Sequence, residues 1–257
     1  MLLSLSGHGR QGVSVKKEGL TSWYAAPSLC RDPHPLVIHQ LQKDGQHICT
    51  EEPLLDKATL KDKPVIFLDR DGVINTLHAY TTGPEEMILI PGAAQAVKLL
   101  KEAGYAVMVN TNQSCIGLGY VPESVVQLNH EYMCYLMAKE ADDLNAQPDA
   151  IFYSIGAGSK AIHSSLEDMS QTKPSPSLLY KAFSIFGLQK EDSWMIGDRK
   201  GDLQCGKNGG LRPLLVLTGR GNETADEIKR ERFTGLIIKR DLLSAAEFII
   251  NNNKSRW

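Results

Sequence analysis

The sequence predicts an α/β fold, three layers deep, with helices on both faces of a mostly parallel sheet. Short apolar runs rich in branched and aromatic residues alternate with segments of helical periodicity from Val65 to Ile250. The runs are continuous rather than alternately polar, as in strands buried on both faces. Polar residues follow the runs directly, at the strand ends where an open α/β sheet binds its ligands.

The first of these strands is Val65-Ile66-Phe67-Leu68, with Lys63-Pro64 marking its start. Asp69 and Asp71 stand where it runs out, and Gly72 permits a sharp turn behind them. Two neighbouring carboxylates repel unless a proton or a cation is shared between them, which points to a metal. Pro91-Gly92 opens a helix through Ala93, Ala96, Val97 and Leu100, with Gly104 placed as its C′ residue. Tyr105–Val109 is the second strand and ends at Asn110-Thr111-Asn112-Gln113. An amphipathic helix from Pro122 to Lys139 leads to the strand Ala150–Tyr153. Ser175-Pro176 reads as N-cap and N1 of a helix whose apolar face is Leu178, Leu179, Ala182, Phe183 and Phe186. The strand Trp194–Ile196 ends at Gly197-Asp198, with Asp202 one helical turn on. Strands at Leu214–Leu217 and Leu236–Ile238 and a helix from Asp241 to Ile250 complete the pattern.

The first sixty or so residues follow no such pattern. Glycines and prolines break any periodicity, apart from a hairpin-like stretch from Leu36 to Cys49 around Asp44-Gly45. His39, His47 and Cys49 on that stretch read as packing or surface residues. Residues 51–63 read as a linker, so the chain divides into an N-terminal extension (1–60) and one domain (61–257).

Composition excludes several classes. With 42% apolar and 23% charged residues, the chain of 257 is an ordinary globular protein, and no apolar run is long enough to span a bilayer. A net charge of −2 gives no general attraction to nucleic acid or to an anionic membrane. Five widely spaced cysteines, without a CxxC pair, read as reduced thiols of a cytoplasmic protein. Arg10, Lys16 and Lys17 among serines leave an organellar presequence open. Nothing signals an oligomeric state.

The strand ends are chemically complementary. Asp69, Asp71, Thr111, Lys173, Asp198 and Asp202 combine carboxylates, a hydroxyl and an ammonium, the set needed for Mg²⁺-assisted phosphoryl transfer. Taken singly, Thr111 and Asn112 also suit a helix cap, Lys173 a solvated surface and Asp198 a turn. Their joint placement at one sheet edge favours the site.

With these residues in order, the chain resembles the haloacid dehalogenase (HAD) superfamily of phosphatases. Its motifs read DRDGVIN, NTNQS, TKPSP and GDRKGD, and the likeness runs from Pro64 to about Asn251. FLDRDGVIN and TNQS, with Gly119 downstream, resemble the heptose bisphosphate and histidinol-phosphate phosphatases in particular. The resemblance implies a Rossmann-like, HAD-like sheet and an aspartyl-phosphate mechanism. Asp69 would be the nucleophile and Asp71 the general acid and base. Thr111, Asn112 and Lys173 would hold the phosphoryl group. Mg²⁺ would bind Asp69, the Asp71 carbonyl and Asp198, with Asn75 bracing the loop and Asp202 in support.

The chain departs from that subfamily in places. Where those enzymes carry a zinc loop of Cys and His, residues 154–172 offer only His163, which reads as a surface residue. Thr172, Cys115 and Leu118 replace an Arg, a Gly and an Arg. The intervals 75–91 and 153–173 have room for a flap and a loop but not for a large cap domain. The implied substrate is a small phosphate ester, a sugar phosphate such as heptose bisphosphate, with histidinol phosphate as the alternative. A polynucleotide-end phosphatase is a further reading, since that class shares the TNQ segment. Against it, the basic residues near the site are few (Arg70, Lys173, Arg199, Lys200), and strand alternation turns Arg70 away. A non-catalytic protein on the same scaffold would not need every catalytic position, yet all are present. One ligand cannot hold tetrahedral zinc, so elemental analysis of the pure protein after mild chelation is expected to find no stoichiometric zinc.

Overall fold

The computed structural model describes residues 57–77, 80–231 and 236–254, together with strands at 13–17, 20–24 and 36–38. Strands β1 (Val13–Lys17) and β2 (Leu20–Tyr24) pair antiparallel with each other. Among the described residues the main sheet has seven strands: β3 (Leu36–Ile38), β4 (Pro64–Leu68), β5 (Ala106–Asn112), β6 (Ala150–Ser154), β7 (Gln189–Gly197), β8 (Arg212–Val216) and β9 (Ile237–Lys239). Their spatial order is β3-β6-β5-β4-β7-β8-β9, and every pair is parallel. From β4 the chain builds outward through β5 and β6, then crosses back to lay down β7, β8 and β9. The order reverses beside β4, and that reversal opens a crevice at the carboxyl ends of β4 and β7.

Side-chain parity explains the layers. Ile66 and Leu68 of β4 face helices α1 (Ala93–Glu102), α3 (Glu123–Ala141) and α7 (Leu242–Lys254), which cover one side of the sheet. Val65 and Phe67 face the other side, where α4 (Ser177–Phe186) and α5 (Lys200–Gly209) pack. Helix α6 (Gly221–Glu231) joins that second layer through Ala225 and Ile228 against Leu203 and Leu215. All four residues Val65–Leu68 are completely buried, which is why the run is continuously apolar. A short helix α2 (Ser114–Gly117) follows β5 directly.

The structure corrects several boundaries. Strand β5 runs three residues past Val109, because Thr111 and Asn112 pair with Tyr153 and Ser154 of β6. Polarity marked a loop, but the sheet's hydrogen bonds continue through it. Strand β7 begins at Gln189, paired with Pro64, and shifts register before Trp194. Helix α4 starts at Ser177 with Pro176 as N-cap, one residue later than the Ser-Pro pattern implied. Gly104 lies two residues beyond α1 with φ +92°, as a C′ glycine should. Helix α6 went unread because its sequence is mostly polar. Leu36–Ile38 forms an edge strand on β6, while the other arm of the expected hairpin lies outside the described residues. Thus part of the extension belongs to the sheet.

Between Asn75 and Ile90 the described chain holds only a 3₁₀ turn (Pro84–Glu86), and residues 155–172 hold two more (Gly158–Lys160 and Ser164–Leu166). Neither interval forms a cap domain. None of the described helices is long and apolar enough to cross a membrane.

Helix α5 lies very close to β7: a Cβ on Gly206 would approach the Met195 side chain to 2.7 Å. We expect Gly206→Val to overpack this contact and to cost about 1–3 kcal/mol in urea unfolding, with an unchanged slope.

Candidate active site

Asp69 still belongs to the sheet, since its N–H donates to the Ile196 carbonyl at 2.9 Å. The chain then folds back on itself. The Gly72 N–H donates to the Asn75 carbonyl at 2.8 Å, and the Ile74 N–H to the Arg70 carbonyl at 2.9 Å. Gly72 has φ +87°, and a Cβ there would collide with the Asp198 carboxylate and crowd Gly219. Only glycine lets the β4 loop lie against the β7 and β8 loops. Thr218 Oγ1 closes the contact by donating to the Gly72 carbonyl at 2.6 Å.

Lys173 reaches this loop from the segment before α4, through a cis bond to Pro174. Its buried ammonium donates to Asp69 Oδ1 (2.9 Å), Asp202 Oδ1 (2.6 Å) and the Asn110 carbonyl (2.9 Å). Three donors meet three acceptors, so the ammonium is fully used. Asp69 Oδ1 also accepts the Arg70 N–H at 2.7 Å, which leaves Oδ2 as the less engaged oxygen. Asp202 is the third residue of α5, and its Oδ2 accepts the Arg199 N–H at 3.0 Å, capping the helix. Asn112 stands beside the lysine's backbone. Its side-chain Oδ1 accepts the Lys173 N–H (3.0 Å) and the Ser154 hydroxyl (3.2 Å), while Nδ2 faces the Lys173 carbonyl at 3.3 Å. The amide is spent on fixing the lysine's backbone.

Arg70 overturns the alternation argument. Past the strand end the backbone turns, so its side chain curls back instead of continuing the strand's parity. The guanidinium is 1% exposed and grips Asp71, from Nη2 to both carboxylate oxygens (2.9 and 2.7 Å) and from Nε to Oδ1 (3.1 Å). Asn75 Nδ2 (2.9 Å) and Gln113 Nε2 (3.1 Å) donate to the same carboxylate. Gln113 also donates to Thr111 Oγ1 at 2.9 Å, which joins the β4 and β5 motifs. Arg70 Nη1 rests 3.1 Å from His130 Nε2 on α3.

The carboxyls are tuned in opposite directions. Burial pushes Asp71 up, but the Arg70 guanidinium and the Asn75 and Gln113 amides more than offset it, so its pKa lies below the ordinary value. Burial pushes Asp69 up to about 7; Lys173 opposes this, while the Asp202 and Asp198 charges add to it. Asp198 is pushed up to about 6, chiefly by burial, against the Arg220 N–H that donates to its Oδ2 at 2.8 Å. Lys173 is held above its ordinary value: burial lowers it, and Asp202 and Asp69 raise it further.

Asp69, Asp198 and Asp202 each offer a carboxylate oxygen within 4.8 Å of the others. Among the described residues, Asp198 Oδ1 is buried and accepts no hydrogen bond, and Arg199 Nε stands 4.0 Å away. A buried carboxylate oxygen without a donor fits a hard cation such as Mg²⁺. Asp202 is less suited to that role, since Lys173 and the α5 cap occupy its oxygens.

These residues open on a cavity of about 660 Å³, lined by Asp69, Asp71, Thr111, Asn112, Lys173 and Asp202 and rimmed by Tyr80, Arg199 and Arg220. Every expected site residue is here or braces it, and His163 is exposed and outside the lining. Sequence reasoning missed Gln113, His130, Tyr80 and Arg220. Gln113 lay within the quoted NTNQS, whereas nothing distinguished His130 from any histidine on a helix.

A HAD-hydrolase-like family profile matches residues 171–243. The D-glycero-beta-D-manno-heptose-1,7-bisphosphate 7-phosphatase of Pseudomonas putida is 34% identical over 164 residues, which cover 63% of this chain and 87% of that protein. Its counterpart in Neisseria meningitidis is 30% identical over 190 residues, 74% of this chain and 96% of that protein. Among solved structures, D,D-heptose 1,7-bisphosphate phosphatase from B. bronchiseptica, complexed with magnesium and phosphate, superposes with a TM-score of 0.64. It is 27% identical and covers 74% of this chain and 99% of that one. The chain belongs to the HAD family of hydrolases. It is a phosphatase.

The raised pKa values give a signed prediction. Asp69 and Asp198 bind protons more tightly when folded than when unfolded, so the metal-free protein loses stability as pH rises from about 4 to about 7. A divalent cation held by these carboxylates would replace those protons. Mg²⁺ is expected to raise the melting temperature more at pH 7.5 than at pH 5, with about 2.7 kcal/mol at a hundredfold excess over Kd. Differential scanning fluorimetry reads both trends.

Proposed function

We propose that this HAD phosphatase is a Mg²⁺-dependent phosphomonoesterase that acts through an aspartyl-phosphate on a small phosphorylated sugar, a heptose bisphosphate in the first instance. The observation that carries the chemistry is the pairing of a lysine-neutralised carboxylate, Asp69, with a differently tuned one, Asp71, two residues on. Asp69 Oδ2 attacks phosphorus, the ester P–O bond breaks, and Asp71 gives its proton to the departing oxygen. Water then attacks the acyl phosphate and gives a proton to Asp71, which releases phosphate and restores Asp69. In the free site Asp71 is the carboxylate, the form the second step needs. A phosphate dianion entering beside it favours the protonated form that the first step needs.

Thr111 and Lys173 face the phosphoryl group, and the lysine reaches it by exchanging one of its three present acceptors. Asp69, Asp198 and the Asp71 carbonyl would hold Mg²⁺, which offsets negative charge on the phosphoryl oxygens. Arg199 and Arg220 at the rim suit a second anionic group on the substrate, and the Tyr80 ring suits an apolar sugar face. The names of the relatives point the same way. The buried thiols Cys115, Cys134 and Cys205 suit a reducing cytoplasm.

Asp69→Asn should leave the fold intact and abolish Mg²⁺-dependent hydrolysis of p-nitrophenyl phosphate; wild-type turnover in that variant would refute the nucleophile. On a panel of substrates, a sugar bisphosphate should exceed histidinol phosphate and phosphorylated DNA ends, with little response to added salt. Efficient, steeply salt-sensitive turnover of DNA ends alone would favour the polynucleotide reading instead.

A further inference from the structure

Asp71 is surrounded by donors, and the largest share of them comes from one side chain. The Arg70 guanidinium supplies three of its contacts, so the orientation of the carboxylate follows the orientation of the arginine. A guanidinium buried to 1% exposure must place its N–H groups on acceptors. Nε and Nη2 are placed on Asp71. Nη1 points the other way, to His130 Nε2 at 3.1 Å.

Arginine has no acceptor and does not deprotonate, so it is the donor in this contact. His130 Nε2 is therefore bare, and the neutral ring carries its proton on Nδ1. The ring has no exposure to solvent. It packs against Tyr153 with centroids 5.2 Å apart, and the Tyr153 hydroxyl donates to Glu123 Oε1 at 2.8 Å in the first turn of α3. The neighbouring Asn129 Nδ2 donates to the Thr81 carbonyl at 3.0 Å, in the loop that carries Tyr80 to the cavity rim. Helix α3 thus presents two adjacent buried polar side chains, one tied to the flap and one to Arg70.

We propose that His130 is a positioning residue for phosphoryl transfer: as a neutral acceptor it fixes the Arg70 fork, and the fork fixes the Asp71 carboxylate toward the reacting oxygen. This rests on Asp71 having the role given above. Without His130 the arginine has a buried donor with no acceptor, and a rotation that satisfies it draws the fork off Asp71. His130 lies outside the cavity lining, and Arg70, which does line it, spends its side-chain hydrogen bonds on Asp71 and His130, so the effect falls on turnover rather than on binding.

The test uses the full chain, p-nitrophenyl phosphate and Mg²⁺. His130→Phe keeps the volume and removes the acceptor. Its kcat should fall about tenfold or more, the scale of a misplaced catalytic group. KM and the Mg²⁺ concentration for half-activity should stay within about twofold, as for an interaction made only in the transition state. His130→Gln restores an acceptor and should return kcat to within about threefold of wild type. Arg70→Met should lose activity, and adding His130→Phe to it should cost nothing more, because the two act in series. In the wild-type protein, ¹⁵N spectra of labelled histidine should show His130 with Nδ1 protonated and Nε2 bare. That measurement holds even if a variant fails to fold.

A protonated Nε2 would overturn the proposal. So would a folded His130→Phe with wild-type kcat, failure of Gln to rescue, or losses that multiply in the double variant. Failure of the phosphatase mechanism itself would instead appear as retained activity in Asp69→Asn, whatever His130 does.

Discussion

The buried ammonium of Lys173 is the contact on which the site depends. It joins Asp69 after β4, the Asn110 carbonyl in β5 and Asp202 in α5, three elements far apart in sequence. Removing one partner of a buried ion pair costs roughly 3–5 kcal/mol, because the other is left charged and unpaired. The lysine therefore has to be delivered to one place. Asn112 does this by holding the Lys173 N–H and carbonyl with a single side-chain amide. The carboxylates, in turn, are tolerated close together because this cation lies among them.

Sheet order explains why the groups meet. Strand β4 lies at the reversal, so the loop after it faces the loops after both β5 and β7. Gly72 and Gly219, both at positive φ, let the β4 and β8 loops touch without side chains between them. The two aspartates of DRDG then sit in opposite environments within one turn. Asp69 is buried among carboxylates and Asp71 is gripped by an arginine, so environment separates two chemically identical groups.

Much of this was legible in the residues alone. Continuous apolar runs ending in Asp, Thr and Gly-Asp identify a parallel sheet with a polar edge, because strand burial and ligand position are both local consequences of that pattern. Asp69, Asp71, Thr111, Lys173, Asp198 and Asp202 could be named from it, and the structure brings them to one crevice. What only the tertiary structure decided is which group spends its hydrogen bonds on which other. Arg70 was directed away by strand parity, yet the backbone turns at Asp69 and returns it to Asp71. Asn112 belongs to a strand that polarity alone ended too soon, and its amide serves the lysine. His130 has no signature in sequence, since its partner lies 60 residues earlier and only the packing of α3 on the sheet brings them together. Side-chain chemistry is written residue by residue, but the pairing of buried donors with acceptors is settled by geometry that forms only when the layers close.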